Sequence, residues 1–146
     1  MTETQKHSAS GRIILVDNNL DIRTMMEMIL GDHFQVCTVS SAEAGLDMVE
    51  AEGPFDIVMA SFTLSGMNGV EFLRRVSEKH PDTVRILLTG GCEGMCNLHQ
   101  AISKGHISRI VFKPFRINIL LDQLKQDMSL KNDSQSIPSV TTPEAP

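Results

Sequence analysis

Tryptophan and tyrosine are absent from this 146-residue chain, and cysteine occurs only three times. An odd, sparse cysteine count supplies no disulfide framework, so a reducing cytoplasm is the expected setting. No apolar run approaches the length that a membrane span needs, and the N-terminus, MTETQKHSASG, lacks an apolar signal core. Positive charge is also in short supply. The formal net charge is −5, with no basic stripe, which argues against nucleic-acid binding through bulk electrostatics. No internal repeat is visible.

What the chain does contain is an alternation of short apolar runs and amphipathic helices. An apolar fraction of 41% suffices for one core, and the length predicts one domain over residues 11–130. Residues 1–10 are polar, and residues 131–146 (KNDSQSIPSVTTPEAP) are rich in Ser, Thr and Pro; both are expected to be disordered. The run from Arg12 to Val16 is β-branched and reads as a buried strand. Ile22, Met25, Met26, Ile29 and Leu30 follow at helical spacing, and Gly31 suits a helix end. Val36 to Val39 is a weaker strand, and Ser40-Ser41 can cap the next helix, which Gly53-Pro54 breaks. A strand from Ile57, a helix through Val70, Phe72, Leu73 and Val76, and a strand from Thr83 to Thr89 come next. A modest helix over residues 94–104 is expected to turn Met95, Leu98, Ala101 and Ile102 inward. A fifth strand spans Ile107 to Phe112, and Ile117, Leu120, Leu121 and Leu124 mark a last helix. Five strand–helix alternations predict an α/β fold: a parallel, doubly wound five-stranded sheet with helices on both faces.

Phe55 to Gly69, FDIVMASFTLSGMNG, organises the rest. It reads as buried strand, glycine-punctuated loop, then helix, and it puts Ser61 at a strand's carboxyl end. Ligand sites in open parallel sheets lie at such ends. Asp17 after the first strand, Thr89 at the fourth and Lys113 after the fifth fall on the same rim. Any one of them alone would pass for a polar loop residue.

These residues resemble the receiver domains of two-component response regulators. The resemblance runs from Arg12 to Met128. It rests on Ile14-Leu15-Val16-Asp17, on Phe55-Asp56-Ile57-Val58 leading to Gly66-Met67-Asn68-Gly69, on Pro81 to Gly90, and on Phe112-Lys113-Pro114-Phe115. It implies a flavodoxin-like (βα)5 fold and a phosphoryl group passed from a kinase histidine to an aspartate at the end of the third strand. It further implies Mg²⁺ held by acidic residues after the first strand, a Ser/Thr and a Lys contacting the phosphoryl oxygens, and a cis peptide at Lys113-Pro114.

The chain departs from that pattern where the chemistry sits. Ser61 stands at the phosphoacceptor position, Asn18 at the second acidic position, Ser65 before the loop glycine, and Ile110 where many members carry a switching aromatic. Asp56 is no substitute, because it lies at the other end of its strand. Asp17, Thr89 and Lys113 are kept. The usual pocket holds three carboxylates and one ammonium, which a divalent cation neutralises. Here Asp17 and Lys113 already sum to zero. One carboxylate about 4 Å from a dication contributes roughly 8 kcal/mol of gross attraction at an effective dielectric near 20. Neutral Asn and Ser oxygens replace two such ligands poorly, and Mg²⁺ sheds water reluctantly. No cofactor and no useful Mg²⁺ site are therefore expected, and Lys113 is expected to pair with Asp17 and hydrogen-bond Ser61. Serine also lacks the carboxylate nucleophile, and its hydroxyl would need an adjacent base, for which Asp17 is the only candidate.

The expected function is that of a non-enzymatic pseudo-receiver, a phosphorylation-independent module that binds a kinase, output or scaffold protein. By resemblance, its contact surface is the fourth helix, fifth strand and fifth helix, with Leu98, Ile102, Ile110, Phe112 and Leu120. Two other readings stay open. One is a switch still responsive to phosphorylation at Ser61 or elsewhere. The other is a small-ligand binder, against which stands the absence of a glycine-rich cradle in Asp17-Asn18-Asn19. No DNA-binding output domain is expected after Met128, where only a short polar tail remains. Cys92, Cys96 and His99 could share a helix face as soft ligands or a redox sensor, but accidental spacing is the simpler reading. Cys37 and the methionines Met25, Met26, Met28 and Met59 read as core filler, and His33, His80 and His106 as surface residues.

Overall fold

The computed structural model describes residues 11–90 and 95–133. Strands and helices alternate: β1 (Arg12–Val16), α1 (Leu20–Leu30), β2 (Gln35–Val39), α2 (Ala42–Glu52) and β3 (Ile57–Ser61). Then come α3 (Gly69–Lys79), β4 (Val84–Thr89), α4 (Met95–Ser103), β5 (Arg109–Phe112) and α5 (Ile117–Asp133). The strands form one parallel sheet in the order β2-β1-β3-β4-β5. The chain divides into a unit ending at Phe115, which holds the sheet and α1 to α4, and a unit beginning at Arg116, which holds α5.

The three central strands are buried on both faces, as their unbroken apolar runs require. Ile14, Val16, Val58, Ala60 and Leu87 join Val49, Phe72, Leu73, Val76, Leu98 and Ala101 of α2, α3 and α4 in one cluster. On the opposite face Ile13, Leu15, Ile57, Met59, Ile86 and Leu88 are fully buried, as are Met26 and Leu30 of α1. Each such side chain contributes about 1.5–3 kcal/mol on leaving water.

Caps fix where the helices begin. The side-chain oxygens of Asn19, Ser41 and Asn68 accept from the N–H groups of Ile22, Ala44 and Glu71, satisfying donors that the first turn leaves over. Of these, Ser41 was legible in advance.

Some boundaries differ from the sequence reading. Thr83 and Ile107 precede their strands, although both are buried. Thr83 Oγ1 donates to the Phe55 carbonyl instead of joining a ladder. Ile102 is 47% exposed, so it faces outward rather than inward. Met28 is 70% exposed and is no core filler. α5 runs to Asp133, three residues past the expected domain end at 130.

Candidate functional site

The strand order reverses between β1 and β3, and in such sheets the crevice at the strands' carboxyl ends is where ligands are handled. Asp17 leaves the end of β1, its N–H donating to the Val39 carbonyl at 3.1 Å. Ser61 is the last residue of β3 and Thr89 the last of β4, while Lys113 follows β5. Asp17, Ser61 and Thr89 are almost fully buried.

Lys113 joins two of them. Its Nζ lies 3.1 Å from Asp17 Oδ2 and 3.3 Å from Ser61 Oγ, donating to both. Its backbone N–H donates to the Thr89 carbonyl at 2.8 Å, and its peptide bond to Pro114 is cis. The other Asp17 oxygen, Oδ1, accepts from the Asn19 N–H at 2.9 Å. Both carboxylate oxygens of Asp17 are thus occupied from within the chain. Asn18 is exposed. Asp56 lies at the far end of β3, where its Oδ2 accepts from the Arg12 N–H at 2.9 Å.

One contributor escaped the sequence reading, and another was read there only as part of the loop motif. Arg23, on the second turn of α1, donates from Nη1 to the Asp17 carbonyl at 2.7 Å and brings a second cation to the rim. The available signal was a cation six residues beyond Asp17 on the helix leaving that strand. Gly69 is the other. A β carbon there would lie 2.2 Å from the Ser61 carbonyl oxygen and 2.9 Å from Leu87 Cδ1, so only glycine lets α3 start this close to β3. Its N–H closes the intervening loop onto the Phe62 carbonyl, and Gly66 takes the left-handed φ of +76° in that loop.

The expected contact residues divide by exposure. Ile102 and Phe112 are exposed, at 47% and 53%. Ile110 is half-buried and packs on the core cluster. Leu98 and Leu120 are buried at 2% each and offer nothing to a partner, a correction to the expected face. Leu98 is the inward position of amphipathic α4. Cys92 lies outside the described residues, as does the side chain of Cys96; His99 is exposed. Among the described residues, no group of three or more His, Cys, Asp or Glu side chains is disposed to hold a metal ion. Nor is any described helix long and apolar enough to cross a membrane.

A parallel 2-1-3-4-5 sheet with Asp, Thr and Lys at its carboxyl rim defines a class, and comparison with known proteins names it. The model of the response regulator receiver domain matches residues 13–125, and the chain belongs to that family. The chemotaxis protein CheY of Listeria monocytogenes is 34% identical over 119 residues, covering 79% of this chain and 96% of that protein. The hydrogenase transcriptional regulatory protein HoxA of Cupriavidus necator is 26% identical over 114 residues, which is 78% of this chain. The chain spans only 23% of that regulator's length. Among solved structures, the signal receiver domain of an HD domain-containing protein from Pseudomonas fluorescens superposes with a TM-score of 0.77. It is 27% identical, and the match covers 87% of this chain and 93% of that one. The protein is therefore a receiver domain of two-component signalling, a class that works through kinases and output proteins.

Proposed function

We propose that this receiver signals by protein contact without forming an acyl phosphate. The observation that carries the reading is the hydrogen bond from Lys113 to Ser61, made while the same ammonium pairs with Asp17. A hydroxyl sits where the mechanism needs a carboxylate nucleophile, and the lysine that would meet phosphoryl oxygens is already engaged. The same donor set fits Mg²⁺ poorly. One carboxylate is present, each of its oxygens is hydrogen-bonded within the chain, and Arg23 adds positive charge beside it. Asp17, Ser61 and Lys113 are joined to one another, which in this reading holds the carboxyl rim of the sheet in one arrangement.

The contact surface in this reading is the exposed pair Ile102 and Phe112. Phe112 ends the edge strand β5, and a half-exposed aromatic at an edge is a natural anchor for a partner. Phe112→Ala and Ile102→Ala are expected to abolish partner binding while leaving the melting temperature nearly unchanged.

An amide-resolved NMR titration with millimolar Mg²⁺ and then beryllofluoride tests the pocket. The expected result is no saturable shift at Asp17, Ser61, Thr89 or Lys113. Saturable shifts spreading from those residues to Ile110 would show a working phosphoryl switch and overturn the reading. Intact mass after incubation with acetyl phosphate checks Ser61 itself, with no added phosphoryl group expected.

A further inference from the structure

β4 carries the site at its carboxyl end and a buried cation near its amino end. Arg85 is 7% exposed, and its guanidinium is surrounded by main-chain carbonyls. Nε donates to the His106 carbonyl at 2.9 Å and Nη2 to that of Gly105 at 2.8 Å. Nη1 donates to Thr83 at 2.6 Å, with longer contacts to Pro81 at 3.2 Å and His80 at 3.3 Å. Burial pushes the Arg85 pKa down from the usual arginine value, with the Asp82 charge acting in the opposite sense. Arginine nonetheless keeps its proton, and the planar fork aims its donors at several acceptors at once.

The acceptors come from two places. His80 caps α3 and Pro81 and Thr83 lie in the connection from it to β4, while Gly105 and His106 lie in the connection from α4 to β5. One guanidinium therefore ties together the two connections that leave the carboxyl ends of α3 and α4. The Arg85 main chain reinforces the junction: its N–H donates to Ser108 Oγ at 2.9 Å, and its carbonyl accepts from the Ser108 N–H at 2.7 Å. Entry into β5 is fixed at the same point. The α4 end is closed by its own backbone bonds, from Lys104 to Gln100, Gly105 to Ile102 and His106 to Ala101.

We infer that Arg85 is a conformational clamp, pinning the carboxyl ends of α3 and α4 to one point at the foot of β4, so that α4 can shift only about that end. Movement is then confined to the amino end of α4, the end that follows the Thr89 rim, whereas the loop into β5 stays fixed. The clamp lies at the opposite pole from Ser61 and holds whether or not Ser61 accepts a phosphoryl group.

Two measurements test it. In the unaltered protein, ¹⁵N side-chain NMR should show the Arg85 Nε–H protected at neutral pH, where the Nε–H groups of exposed arginines have exchanged. An unprotected Arg85 Nε–H would overturn the clamp. In Arg85→Lys, one ammonium cannot span both helix ends. Amide exchange at His80 and Thr83, and at Lys104, Gly105 and His106, should accelerate together by at least about tenfold. Ile14 and Val58 in the central strands should exchange as before. Acceleration at one helix end alone, uniform acceleration through the sheet, or no change would each overturn the clamp. If Arg85→Lys does not fold, the Nε–H measurement still decides.

Discussion

The missing side chain of Gly69 is filled by the carbonyl of Ser61: a β carbon at position 69 would sit 2.2 Å from that oxygen. The clash is with backbone on the central strand β3, which cannot give way cheaply. Gly69→Ala is therefore expected to destabilise the domain by about 2–3 kcal/mol. Chemical denaturation measures the loss, and NMR shifts should concentrate at Ser61, Phe62 and Leu87. An alanine variant of unchanged stability would mean that α3 can retreat from the sheet.

Lys113 and Asp17 form a pair with one buried partner: the Asp17 side chain is 1% exposed and that of Lys113 is 24% exposed. Lys113→Met strands the carboxylate and should cost about 3 kcal/mol, less what residual solvent and Arg23 recover. Asp17→Asn in the same background removes the stranded charge and should restore part of the loss. The coupling energy from the complete double-mutant cycle checks both statements, with about 1 kcal/mol or more expected.

Ser61→Asp places a second carboxylate beside Asp17. On the proposed reading, in which missing carboxylate charge is what disfavours Mg²⁺, this one change should raise Mg²⁺ affinity at least about tenfold, since a single dication–carboxylate contact exceeds the 1.4 kcal/mol required. Isothermal titration or NMR follows it. No gain would mean that Lys113 and Arg23 hold the pocket closed even with the acceptor present.

Glu71 in the first turn of α3 is bound by Arg74 and Arg75, which hold its carboxyl at a pKa of about 2. A depressed carboxylate pKa contributes stability that is present above the unfolded value, near 4.3, and is lost as pH falls through about 2. The side chain is about a third exposed, so solvent screening limits the contribution to under about 1 kcal/mol. Glu71→Gln should lower stability slightly at neutral pH, and the difference from the unaltered protein should vanish by about pH 2. High salt should shrink it as well.

The fold was legible because its signals are local. Short, β-branched apolar runs bounded by turn residues, such as Ile13 to Val16, fit strands buried on both sides better than helix segments, and the helices between them repeat at 3.6 residues. Those same signals put Asp17, Ser61, Thr89 and Lys113 at strand ends, and motif wording around them named the family. Exposure was read less well. Ile102 and Met28 are apolar at helical spacing yet face solvent, because one helix turn holds more apolar residues than its buried stripe needs. Leu98 and Leu120 were expected on a contact surface and are instead buried. Asn19 and Asn68 act as caps although asparagine is equally at home in any turn, so nothing in their spacing singled them out.

By itself, then, the sequence determined the order of elements, the parallel sheet and a serine, Ser61, at the carboxyl end of the third strand, since each follows from residue type and near-neighbour spacing. The Lys113–Asp17 pair, 96 residues apart in the chain, was expected through the family resemblance. Tertiary structure alone decided the contacts of Arg85 with carbonyls 20 and 21 residues further along the chain. Arg23 turning onto the Asp17 carbonyl and Gly69 pressing on Ser61 belong with them. The physical reason is that a buried charge or a backbone contact is satisfied by whatever packing brings within about 3 Å, and the residue's own neighbours in the chain say nothing about what that will be.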